Sequence, residues 1–206
     1  MSDRLLNIQL TYIKELYTQL PDDLDRSLRA VREDNLFHFK AFGQPCTITP
    51  EGILLSGEPL TSGLGIIIAL YARHASHDEV QFSPPKAYAQ IKGSQPHHGA
   101  FRARSEQSLV PHVDDIRKSM DRIVQVFDGF ENKDGSGDFS FTLFPLPKIP
   151  LFYVFYVADE EFPASVTCLF AANAESFLPV DGLADVGGHT AEKIIELISA
   201  DPASVA

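Results

Sequence analysis

The sequence predicts an α+β fold, a single domain with a mainly antiparallel sheet flanked by helices. Three observations carry this. Apolar residues recur at helical spacing near both ends of the chain and in two segments between them. Other segments alternate every second residue, or run continuously apolar over a strand's length. The strand candidates follow one another across connections short enough for antiparallel pairing, with helices before and after them.

The elements follow in order. Leu6, Leu10, Ile13, Tyr17 and Leu20 share a helix face, and Pro21 closes that helix. Asp22 or Asp23 can cap a second helix with Leu24, Leu28 and Val31 on its inner face. The N-terminal helices are thus expected over 3–31 and a mixed body over 35–199. The domain is placed at 1–200 and a frayed tail at 200–206. NLFHFKAF, from Asn35, alternates Leu36, His38 and Lys40 against Phe37, Phe39 and Ala41, as a half-buried strand does. CTIT and ILL follow across a Pro50-Glu51-Gly52 hairpin turn. Thr61 or Ser62 starts a helix carrying Leu64, Ile67, Ile68 and Tyr71. Residues 75–100 are rich in His, Ser, Pro and Gly and read as a long connection with a short extended piece, a length often associated with function. Ile116, Met120, Ile123, Val124 and Phe127 define a further helix, with Asp114 and Asp115 at its N-terminal dipole. After the NKDGSG loop come strands at Phe139 to Phe144, Leu151 to Val157 and Ser165 to Phe170, the last two joined by ADEEFPA. The apolar run Leu151 to Val157 reads as a central strand buried on both faces. A final helix carries Leu183, Ala191, Ile194, Ile195 and Ile198.

Composition bounds the function. At 206 residues, 44% hydrophobic and 22% charged, the chain can bury a full core without staples. Seventeen basic residues against twenty-eight acidic give a net charge of -11. That balance argues against nucleic acid, because no basic excess exists to displace counterions, and against anionic membranes. Cys46 and Cys168 lie in separate apolar segments and read as buried reduced thiols. The opening MSDRLLNIQL lacks the apolar stretch of a signal peptide, and no run approaches the ~20 residues of a membrane span. A cytoplasmic location is expected.

Several residue groups could carry chemistry. Asp159, Glu160 and Glu161 follow the apolar strand directly. Neighbouring carboxylates can split their pKa values into an acid and a base, or hold a hard cation; alternatively they form a solvated turn that caps backbone amides. Arg102 and Arg104, two apart, would share one face of a strand and suit a carboxylate or phosphate ligand, or neutralise the acidic trio. His74 and His77 form an H-x-x-H, and His97-His98 sits in the long connection, but no strong zinc spacing or HExxH is present. Gly63-Leu64-Gly65 lacks the rest of a dinucleotide fingerprint. There is neither a P-loop nor a GxSxG elbow. Asp134 and Asp138 hint at a calcium loop without its downstream glutamate.

GAFRARSEQSL (Gly99 to Leu109), GDFSFTLFPLPKIPLFYVFYVADEEFPASVTCLF (Gly137 to Phe170) and FLPVDGLADVG (Phe177 to Gly187) together resemble the family catalogued as domain of unknown function 3786. FKAFGQPCTITPEGILL and the helix at Leu64 to Tyr71 fit it more loosely. The resemblance implies a setting in anaerobic metabolism, since relatives occur largely in anaerobic bacteria and archaea. Some relatives carry a four-cysteine iron–sulfur module, which two cysteines cannot build. Relatives also tend to place histidine or tyrosine before the L-P step, where this chain has Phe177. The cofactor is therefore unknown. Arg104, Asp159, Glu160, Glu161 and Asp181 occupy motif positions without a role that carries over.

The expectation is a non-catalytic cytoplasmic binding or accessory protein. It would hold a small anionic or cofactor-like ligand in a cleft between Arg102, Arg104 and the Asp159–Glu161 turn, with Asp181 a further candidate for binding it. Two alternatives stand beside it. One is a hydrolase or lyase with Glu160 or Glu161 as general base and a loop histidine as acid. The other is a protein-interaction module whose acidic surface selects a basic partner.

Overall fold

A computed structural model describes residues 2–133 and 135–200. Asp134 of the calcium-loop hint and the tail at 201–206 lie outside the described residues. The chain opens with α1 (Ser2–Thr18) and a short α2 (Leu24–Leu28). A five-stranded meander follows: β1 (Val31–Glu33), β2 (Leu36–Ala41), β3 (Gln44–Thr49), β4 (Gly52–Leu55) and β5 (Glu58–Pro59), every neighbour antiparallel. Helix α3 spans Gly63–Arg73. The second sheet has the order β6-β10-β9-β8-β7. Its strands are β6 (Lys86–Ala87), β7 (Phe130–Glu131), β8 (Phe139–Leu146), β9 (Ile149–Tyr156) and β10 (Ser165–Phe170). Helices α4 (His98–Phe101), α5 (Val113–Lys118) and α6 (Met120–Val126) lie between β6 and β7, and α7 (Val180–Ser199) ends the fold. The expected α+β class with antiparallel sheets therefore holds, with two sheets rather than one.

The strand pattern places the core. In the first sheet Phe37 faces Ile48 and Phe39 faces Cys46, so the apolar face predicted from alternation is the buried one. Phe42-Gly43 and Ser56-Gly57 turn its hairpins with positive φ at both residues, the twist that matches paired strands. In the second sheet Phe141, Tyr153 and Cys168 lie side by side across three strands, as do Leu143, Leu151 and Phe170. All six are fully buried. Phe139 and Phe155 stack at 4.5 Å. The two sheets meet where Phe42 N–H donates to Pro145 O at 2.7 Å, and one continuous hydrophobic cluster runs through both.

Some expectations need correction. Val31 does not face inward from a helix: α2 stops at Leu28, Arg29 turns left-handed, and Val31 begins an exposed edge strand. The helix expected through Ile116 and Phe127 breaks at Ser119 into α5 and α6. The apolar run is the central strand of its sheet but is not buried on both faces: Leu151, Tyr153 and Phe155 are buried, while Phe152 and Val154 are half-buried and Tyr156 is exposed. Gly65, the residue that raised a dinucleotide motif, serves helix packing instead. A Cβ there would lie 1.8 Å from the Gln9 side chain of α1.

Candidate functional site

Arg102 and Arg104 are not on a strand. Arg102–Gln107 forms a single wide turn of π-helix, in which Ser108 N–H reaches back five residues to Ala103 O at 3.2 Å. Its inward residues are Phe101, Ser105 and Leu109, all buried. Phe101 stacks on Tyr88 at 4.4 Å and tilts against Phe170 at 5.6 Å, which seats the turn on β10. Its other side packs against α7 at Gly187, where a Cβ would lie 2.7 Å from the Phe101 ring and 2.6 Å from Ser105 Oγ. Wide turns of this kind occur often at functional sites.

The turn sends its two arginines in different directions. Arg104 points to α7, 3.2 Å from Glu192 and 3.5 Å from Asp185. Asp181 and His97 line a small cleft beside it of about 190 Å³. The Arg102 guanidinium has no ion pair or hydrogen bond among the described residues. It lines a larger cleft of about 500 Å³ with Glu106, Val110 and residues 164–167.

That cleft exists because β6 is only two residues long. It covers β10 at Leu169 and Phe170 and leaves the edge from Ser165 to Cys168 without a partner strand among the described residues. An open strand edge presents backbone N–H groups that need acceptors. Glu106 supplies one: its Oε1 accepts the Cys168 N–H at 3.1 Å. Among the described residues no donor is placed on Oε2. Partial burial pushes the Glu106 carboxyl above its ordinary range, opposed by the Cys168 N–H and by the charges of Arg102 and His98. Backbone groups of alternate residues face the same way along a strand, so Val166 turns its N–H and C=O toward the cleft as Cys168 does.

Behind Glu106 the sheet is polar in its interior. Tyr153 and Cys168 sit directly opposite each other on β9 and β10, both fully buried. Burial raises the pKa of each; the Cys168 thiol adds to the rise on Tyr153, whereas on Cys168 the charge of Glu106 adds to it and the Tyr153 hydroxyl opposes it. The thiol is a weak partner, and the Tyr153 hydroxyl has no hydrogen bond of ordinary geometry among the described residues.

The acidic trio lies elsewhere. Asp159, Glu160 and Glu161 are exposed, and Asp159 Oδ1 accepts the N–H groups of Glu161 at 2.8 Å and Phe162 at 2.7 Å. Those two bonds pull the Asp159 carboxyl below its usual value. This is a self-capped turn. No described contact joins it to either arginine or to a histidine.

The histidines diverge as well. His74 hydrogen-bonds Leu70 O at 2.9 Å at the end of α3. His77 lies in a cleft of about 510 Å³ between α1, α2 and α3. Its Nε2 is 3.2 Å from Asp23, and Ser27 Oγ is 3.3 and 3.4 Å from the two ring nitrogens. A serine equidistant from both nitrogens, with the aspartate on Nε2, is not aligned as an activated nucleophile. Among the described residues no group of three His, Cys, Asp or Glu side chains converges as a metal site, and no helix is long and apolar enough to cross a membrane.

The FRAR turn, the PLPKIP hairpin with its strand and the FLPVD helix start meet around β10 and α7. The model of the family described as Domain of unknown function (DUF3786) matches residues 21–193. The chain belongs to that family. No curated protein and no solved structure matches it. In this DUF3786 member the segments that carry the family likeness build the wide turn, the strand edge and the helix that packs on them. Glu106 was not singled out in the sequence, although it stands in the same FRARSEQ segment. Its signal was four-residue spacing from Arg102, which matters only once the segment is helical.

Proposed function

We propose that this protein is a non-catalytic small-ligand-binding or accessory protein, in the anaerobic metabolism its family resemblance implies, and that its ligand is held at the open edge of β10. The observation that carries the reading is Arg102, a guanidinium without an ion-pair partner among the described residues, at the mouth of a cleft of about 500 Å³. A planar guanidinium suits a carboxylate or phosphate, and a charge-assisted contact of this kind contributes about 1.5–3 kcal/mol. Arg104 is already matched by Asp185 and Glu192, so its role in this reading is to hold the turn on α7.

The test is native mass spectrometry of protein purified anaerobically and without denaturant. A small adduct on the wild type that disappears in Arg102→Ala supports the reading. A bare wild-type mass, together with no thermal shift from small carboxylates or from phosphate, overturns it.

A second reading rests on a different face. Phe82, Phe130, Phe144 and Phe152 form a partly exposed aromatic cluster on the side of the second sheet away from α7, and Glu131 follows Phe130 directly. Such a face suits an apolar partner segment carrying basic residues. Salt-sensitive pull-down that is lost in Phe130→Ser supports it; unchanged capture by that variant counts against it.

A further inference from the structure

The cleft at β10 sets an anion beside its cation, and the combination narrows the ligand. Arg102 and Glu106 are four residues apart on the same wide turn and line the same cleft. They do not close a salt bridge with each other within 4.0 Å. An i,i+4 pair of opposite charge on a regular helix commonly meets. Here Glu106 is diverted to the strand edge, where Oε1 takes the Cys168 N–H. The diversion leaves a positive and a negative group facing one volume, each with unused hydrogen-bonding capacity: the guanidinium donors of Arg102 and Oε2 of Glu106.

The surroundings add direction. Val166, which lines the same cleft, presents by strand alternation from Cys168 a backbone donor and acceptor at that edge. Val110 and Pro111 close the cleft with apolar surface, and Ala164 and Val166 add more on the β10 side. A ligand matching this set carries a carboxylate for Arg102, a cationic amine for Glu106, and a small apolar body. We infer that the cleft is built for a small zwitterion of the α-amino-acid type. A plain acid would leave Glu106 facing it as a like charge. A plain amine would leave Arg102 unmatched.

Two further facts fit. The cleft volume of about 500 Å³ is ample for one such molecule, and a single guanidinium beside a carboxylate does not suit the several phosphates of a nucleotide. The half-buried position of Glu106 also favours a ligand cation, because pairing relieves the cost of keeping a carboxylate charged out of water.

The inference rests on the ligand-binding reading above, and its test separates the two. Thermal shift followed by calorimetry would compare the free α-amino acids with their N-acetyl derivatives, which keep only the carboxylate, and their amides, which keep only the amine. The expected result is at least one free amino acid binding tenfold or more tightly than both of its single-charge analogues. Glu106→Gln should abolish that preference while leaving weaker binding of the carboxylate-only analogue. If N-acetyl derivatives bind as tightly as the free acids, the zwitterion is wrong and the anion-binding reading stands. If no compound in the panel and no small carboxylate or phosphate binds, both fall. The comparison among ligands is made on wild-type protein, so it holds even if the variant is unstable.

Discussion

Two adjacent glycines in α7 give a sharp prediction about how the site is assembled. Gly187→Ala and Gly188→Ala make the same chemical change in the same helix, and each gains about 1 kcal/mol in helix propensity. Their surroundings differ. A Cβ on Gly187 would lie 2.6 Å from Ser105 Oγ and 2.7 Å from the Phe101 ring. Phe101 is clamped between Tyr88 and Phe170 and cannot retreat, so the turn must move. Overpacking of this kind costs about 1–3 kcal/mol. The atoms nearest a Cβ on Gly188 are those of the Arg104 guanidinium, at 3.2–3.3 Å, the far end of a flexible and exposed side chain. Gly188→Ala should therefore be neutral or stabilising by up to about 1 kcal/mol. The difference between the variants is the overpacking alone, about 1–3 kcal/mol, or roughly 2–12 °C in Tm for a domain this long. Thermal unfolding by circular dichroism reads it directly. Ser105→Gly in the Gly187→Ala background should recover part of the loss. Equal melting temperatures for the two alanine variants would refute the close packing of the wide turn on α7.

Further outcomes follow from the same geometry. Phe101→Ala removes the ring between Tyr88 and Phe170 and should cost about 3–5 kcal/mol in denaturant unfolding. Arg104→Ala breaks two exposed pairs and should cost only about 1 kcal/mol or less, with the loss shrinking further in high salt. Glu106 binds its proton more tightly folded than unfolded, so it favours the fold at low pH. That contribution disappears as pH rises from the ordinary carboxylate value through the raised folded one. Glu106→Gln should flatten this segment of the stability–pH curve. Burial pushes Cys46 up to about 12 and Cys168 higher still, so a thiol reagent at pH 8 should label neither until denaturant is added.

The sheets were legible because their chemistry is local. Phe37, Phe39 and Ala41 alternate, and the Leu151 run is apolar, so both strands declare themselves in a few residues. Short turns such as Phe42-Gly43 leave little choice but antiparallel pairing. The site was less legible. FRARSEQ alternates charge every second residue, which imitates a strand, while its true inward residues, Phe101, Ser105 and Leu109, are four apart and include a serine that hides the apolar stripe. Glu106 gains meaning only through Cys168, sixty-two positions away. The unpartnered β10 edge depends on β6 being two residues long, in a segment without a strong periodic signal. Conversely, DEEF looked like chemistry because three carboxylates stand together. In the fold Asp159 spends its hydrogen bonds on its own turn.

In the proposed reading two neighbouring arginines divide the labour: Arg102 faces a ligand and Arg104 holds the wide turn. The most direct measurement compares Arg102→Ala with Arg104→Ala by native mass spectrometry, each beside its melting temperature. The small adduct carried by the wild type should be lost from Arg102→Ala and kept by Arg104→Ala, with both proteins folded. An adduct retained by Arg102→Ala but lost from Arg104→Ala would contradict it.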